Sequence, residues 1–191
     1  MADYAPQAGD GDVAEADVYA DYEEGLEAAL AGDYVTAFRE FSVAAEVGLD
    51  VAQYNLGILY YTGRGVERDV GLSFRWTLAA AEQGHVGAQS NLGSLYLNGE
   101  GVDEDVEQGL AWLVRAARGG DGDAAFSLAN FYNEGRVVSR DRVRAHAWAA
   151  QAEYNGHPQA AELLPHIEVR LQPNEVGDAV RLFARWQRGE F

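Results

Sequence analysis

The residues of this chain best suited to chemistry are four histidines, two glycine-rich stretches, an acidic cluster and an arginine run, and none of them stands in a reactive arrangement. No two of His85, His146, His157 and His166 are separated by the i, i+4 step that puts two imidazoles on one helix face for a metal. His85 and His157 each follow a glycine that reads as a helix end, so their rings are expected to meet terminal carbonyls. Gly63-Arg64-Gly65 and Gly99-Glu100-Gly101 lack the Lys-Ser/Thr of a phosphate loop and follow helical rather than strand patterns, which makes them turns. Asp103-Glu104-Asp105-x-Glu107 lacks the alternating ligands and central glycine of a calcium loop and reads as an exposed acidic turn. No serine or threonine stands by a base in a hydrolase motif, and the absence of cysteine excludes disulfides and thiolate metal sites. The expectation is a protein without catalytic residues, metal ligands or cofactor, and so not an enzyme.

What recurs instead is an interval. Thirty-six residues separate Tyr60, Tyr96 and Tyr132, and the same step links Trp76, Trp112 and Trp148; Gly63, Gly99 and Gly135; Asp69, Asp105 and Asp141. Ala52, Ala88, Ala124 and Ala160 extend it, as do Ala44, Ala80, Ala116 and Ala152, and Gly48, Gly84, Gly120 and Gly156. A step shared by unrelated residue types marks a repeat protein whose units pack on their neighbours. Within one unit Ala52, Leu56, Leu59 and Tyr60 fall at helical spacing until Gly63-Arg64-Gly65 interrupts them. Asp69 is the N-cap of a second helix with Leu72, Trp76, Leu78, Ala79 and Ala80 on its buried side, and Gly84 closes it. Two antiparallel helices A and B make a helical hairpin, so the fold class is all-α. Gly57 and Gly93 fall mid-helix, where glycine is unfavourable, and predict the close approach of a neighbouring helix.

The pattern Ala52-x-x-x-Leu56-Gly57-x-x-Tyr60-x-x-Gly63-x-Gly65-Val66-x-x-Asp69, followed by Trp76 and Ala80-Ala81-x-x-Gly84, resembles the Sel-one-like repeat, a relative of the tetratricopeptide repeat. The second unit matches over Ala88, Leu92-Gly93, Tyr96, Gly99-x-Gly101-Val102, Asp105, Trp112, Ala116-Ala117 and Gly120. The third departs at Ala129, Val137 and Glu153, where the pattern has glycine, glycine and alanine. The resemblance implies a right-handed α-solenoid of stacked antiparallel helix hairpins with a C-terminal capping helix, used as an adaptor or assembly platform. Some bacterial relatives bind β-lactams or cell-wall fragments, but those are cysteine-rich, and this chain has no cysteine.

The expected organisation is a disordered acidic arm over residues 1–20 and one solenoid over 21–191. Within the solenoid a degenerate unit spans 21–50, full repeats span 51–86, 87–122 and 123–158, and a cap spans 159–191. Pro165 is expected to bend or break a helix running through Ala160, Ala161, Leu163 and Leu164, and Phe183 and Trp186 to cap the last repeat. The formal net charge is −17, all of it in residues 1–110, which hold 21 acidic and 4 basic residues against 10 of each in 111–191. Phosphate repulsion therefore disfavours a nucleic-acid partner. Arg136, Arg140, Arg142 and Arg144 form the one dense basic stretch. All fourteen basic residues are arginine, which suits a salt-rich setting and equally a GC-rich genome. No apolar run spans a bilayer, and the polar leading arm favours a periplasmic location after signal-peptide removal over a cytoplasmic one.

Recurring positions pack, so helix A positions that change between units face outward or into a groove. By analogy with tetratricopeptide relatives the groove sets are Tyr54, Ile58 and Tyr61; Ser90, Ser94 and Leu97; Phe126, Asn130 and Asn133. Rings as anchors and amides for the main chain suit a protein or peptide partner, with Tyr54 and Phe126 alternatively covering seams between repeats. The reading from sequence is a non-catalytic bacterial scaffold for complex assembly, with a module for cell-wall (peptidoglycan) fragments as the alternative.

Overall fold

The computed structural model describes residues 15–190, which contain ten helices and no strand. They are α1 (Glu15–Ala31), α2 (Tyr34–Glu46), α3 (Asp50–Thr62), α4 (Val70–Glu82), α5 (Val86–Asn98), α6 (Val106–Arg118), α7 (Gly122–Glu134), α8 (Arg142–Tyr154), α9 (Ala160–Glu168) and α10 (Pro173–Gln187). They fall into two compact units: one runs to Ala88 and includes Glu100–Val102, the other holds Gln89–Gly99 and everything from Asp103. α1 opens inside the stretch expected as an acidic arm, and the rest of that arm, residues 1–14, lies outside the described residues.

In the first unit α1 packs on α2, α2 on α3 and α3 on α4. Its core is Val18, Ala37, Phe41, Ala44, Ala45, Ala52, Leu56 and Leu59, with Phe38 meeting Tyr60 edge to face at 5.4 Å. In the second unit α6 packs on α7, α7 on α8, and α8 on both α9 and α10. Trp112, Leu113, Leu128, Trp148, Ile167, Ala179 and Trp186 are buried there. Every alanine of the two longest 36-residue series is at most 1% exposed, because only a methyl group fits where helices meet this closely. A side chain on Gly57 would stand 2.8 Å from Thr77 Oγ1, and one on Gly93 2.7 Å from Leu113 Cγ, so the mid-helix glycines admit the partner helix. In the third repeat Ala149 occupies the place of Thr77 and Leu113, and Ala129, fully buried, replaces the glycine.

The recurring Tyr and Asp close each hairpin loop. Asp69 N donates to Tyr60 O at 3.0 Å, Asp105 N to Tyr96 O at 2.9 Å, and Asp141 N to Tyr132 O at 2.9 Å. The same aspartates then cap helix B, Asp69 Oδ1 accepting from Leu72 N at 2.9 Å, Asp105 Oδ1 from Gln108 N at 3.0 Å and Asp141 Oδ1 from Arg144 N at 2.9 Å. The third loop keeps this closure although Val137 replaces the second loop glycine, and it does so without left-handed backbone at that residue. Of the bend or break expected at Pro165, the break does not occur, since α9 continues through it. Pro165 offers no N–H to the carbonyl of Ala161, four residues back, and Ala161 is exposed.

Candidate partner-binding faces

The candidate groove positions lie on α3, α5 and α7 and are half-buried or exposed. On α3, Tyr54 and Ile58 are half-buried and Tyr61 is exposed. Tyr61 Oη donates to Glu100 Oε2 at 2.8 Å, and the Arg68 guanidinium lies over its ring at 5.5 Å while Arg68 Nε donates to Tyr61 O. The Glu100 carboxylate raises the Tyr61 phenol above its ordinary value, since losing the proton would break that hydrogen bond and set two negative charges together. Tyr61 is thus a held ring with one edge in solvent.

Tyr54 is placed differently. Its ring stacks on His85 at 4.4 Å and lies over Gly87, where a side chain would stand 3.2 Å from the phenol. Phe126 repeats the arrangement two units later, stacked on His157 at 4.0 Å and 14°. The imidazoles do not serve the preceding helix ends as expected from sequence. His85 Nδ1 accepts from Ala88 N at 3.1 Å, in the first turn of α5, and His157 Nδ1 from Gln159 N at 3.3 Å, in the turn before α9. The second repeat carries Asp121 at this place, and it caps α7 through Ala124 N at 2.8 Å. His85 and Asp121 thus both cap the helix that follows, and where histidine stands at this register the residue opposite is an aromatic ring. The signal was in the register: positions 85, 121 and 157 hold His, Asp, His while 54, 90 and 126 hold Tyr, Ser, Phe.

On α5 Ser90 is half-buried and Ser94 exposed, with Ser94 Oγ donating back to Ser90 O at 3.4 Å. Leu97 leans toward α6 and fills the space over Gly109, where a side chain would stand 2.7 Å from Leu97 Cγ. On α7 Asn130 and Asn133 are half-buried, and Asn133 Oδ1 is cut off from solvent without a partner among the described residues. α5 and α7 therefore present hydroxyl and amide groups, whereas α3 presents rings.

A second polar group lies deeper. His146 is buried where the two preceding repeats carry Phe74 and Leu110, with Nε2 3.9 Å from Glu168 Oε2 and Nδ1 unpartnered among the described residues. Burial holds its proton affinity below the ordinary 6.5, with Glu168 opposing. The unfolded chain thus binds more protons than the folded one as pH falls below 6.5. The stability this neutral imidazole permits is complete above that pH and is lost as pH falls through the folded value. Urea midpoints measured from about pH 8 to about pH 5 are expected to fall less steeply in His146→Leu than in the native chain. Equal slopes would show that burial of His146 carries none of the acid sensitivity.

Among the described residues no three His, Asp or Glu side chains gather as a metal requires, and no helix is long and apolar enough to cross a membrane.

A model of the Sel1 repeat matches residues 50–85, 86–121 and 122–157, each one residue ahead of the boundaries read from the spacing. No curated protein matches the chain. Among solved structures the chain is similar to a Sel1 repeat protein from Oxalobacter formigenes, with 28% identity and a TM-score of 0.69 over 75% of this chain and 57% of that one. It is also similar to a protective antigen of uropathogenic Escherichia coli strains that displays an SLR fold, with 28% identity and a TM-score of 0.50 over 88% of this chain and 45% of that one. The chain thus spans about half the length of these two bacterial proteins.

Proposed function

This chain belongs to the Sel1 repeat family, generally a family of non-catalytic protein-interaction scaffolds, and from that premise we propose that it holds a protein or peptide segment on its helix A faces as part of a bacterial assembly. One observation supports the reading most. On the A helices the recurring Ala52, Ala88, Ala124, Leu56, Leu92 and Leu128 are buried, whereas the changing Tyr61 and Ser94 are exposed and Tyr54, Asn130 and Asn133 half-buried. Packing accounts for the first set and leaves the second for recognition. Tyr61, Ser94, Asn130 and Asn133 are the contact residues of this reading, with Tyr54 and Phe126 holding the faces in place through their stacked histidines. A rigid phenol with a solvent-facing edge is suited to anchor a side chain, and amides to pair with an extended main chain.

The test is affinity capture from the cells that produce the chain, read by mass spectrometry, with the double variant Tyr61→Ala and Asn130→Ala beside the native protein. Neither side chain belongs to the fully buried core, so helicity and thermal midpoint are expected to hold within experimental error. Retention of the partner is expected to weaken roughly tenfold or more. Undiminished retention would remove these faces from the interaction.

A further inference from the structure

We propose that the cleft between the start of α8 and the first turn of α10 is a carboxylate site, built on Arg142 and Arg140, that receives an acidic side chain of a partner peptide. The cleft measures about 340 Å³ and is lined by Arg140, Asp141, Arg142, Val143 and Glu175. Arg142 is half-buried, and its Nε is shut off from solvent with no hydrogen-bond partner among the described residues. A guanidinium N–H buried in this way is unfavourable until something accepts from it. The neighbouring arginines are engaged: Arg136 with Glu134 at 3.5 Å, Arg140 through Nη2 to Glu134 O at 3.0 Å, and Arg144 with Asp141 at 3.5 Å.

Neither packing nor scarcity of acids explains Arg142. The equivalent residues are Val70 and Val106, half-buried like it, so the fold accepts a small apolar side chain at this place. The chain carries 31 acidic residues against 14 basic ones, yet the two carboxylates of the cleft wall are occupied with helix starts. Asp141 Oδ1 accepts from Arg144 N at 2.9 Å and Glu175 Oε2 from Gln172 N at 2.7 Å. The planar fork of arginine matches a carboxylate edge, and the volume admits one side chain rather than a helix. The site lies apart from the helix A faces and does not depend on them.

The probe is a capped peptide of alternating glutamate and glycine, with its glutamine twin as control, titrated at low salt and followed by fluorescence anisotropy. Saturable binding of the glutamate peptide alone is expected. Arg142→Val, which installs the residue of the other repeats, is expected to weaken it roughly tenfold or more, and Arg142→Lys to weaken it too, because an ammonium lacks the fork. Arg136→Ala is expected to leave it unchanged, and the thermal midpoint of Arg142→Val to equal or exceed that of the native chain. Native-like binding by Arg142→Val would overturn the proposal, as would indifference of the native chain to the peptide or competition by inorganic phosphate below the peptide's own concentration. A markedly lower midpoint for Arg142→Val would overturn it as well, by making Arg142 a structural partner of Glu175.

Discussion

Replacing Gly65 by alanine is expected to lower the stability of the first unit by more than about 3 kcal/mol, enough to leave much of it unfolded at physiological temperature. Two penalties add. Gly65 has φ +72°, a left-handed conformation that a Cβ disfavours by roughly 1–2 kcal/mol. A methyl group there would also overlap the main chain of Tyr34, whose carbonyl cannot yield without unwinding the start of α2. Gly84→Ala isolates the first penalty, because Gly84 is equally left-handed at φ +99° but has nothing within 4 Å of the new methyl. Urea unfolding followed by circular dichroism should show a loss of about 1 kcal/mol at Gly84 and a several-fold greater one at Gly65. Equal losses would mean that the loop does not press on α2.

The second large effect is expected at Trp186. Trp186 is 8% exposed and its ring meets that of Trp148 at 4.2 Å with a 35° tilt, so α10 covers the face that the last B helix would otherwise show to water. Trp186→Ala removes both the buried area and the ring contact, and about 3–5 kcal/mol of stability is expected to go with them. Two indoles this close couple optically, so their joint near-ultraviolet dichroism should vanish in the variant while most helicity remains. A loss below about 1 kcal/mol would show that the stack is held by other contacts.

The hairpins were legible because their determinants are local and repeated. Asp69, Asp105 and Asp141 mark helix starts through one side-chain bond, and Gly63 and Gly135 mark ends through a conformation that few other residues adopt. What stayed hidden depends on the element after the one being read. His85 and His157 follow glycines and read as partners of the helix behind them, whereas their Nδ1 atoms accept from backbone N–H groups ahead. Leu97 reads as one more variable groove position, yet it settles over Gly109, an opening that only the folded hairpin reveals. Pro165 reads as a bend or break, because propensity counts the missing donor, whereas α9 continues past it. Of the candidate faces, the division into recurring and changing positions was legible, while the stacking of Tyr54 and Phe126 on imidazoles was not.

The seat beneath Gly65 is the peptide group of Tyr34, and that beneath Gly101 is the peptide group of Val70. Amide backbone is the one material that every residue type supplies in the same shape. A unit that keeps the second loop glycine, as the first two repeats do, therefore seats on a surface that asks for no particular side chain. Lengthening by unequal crossing-over is then nearly free of coordinated mutation, and a leading hairpin as divergent as α1 and α2 still receives a full repeat.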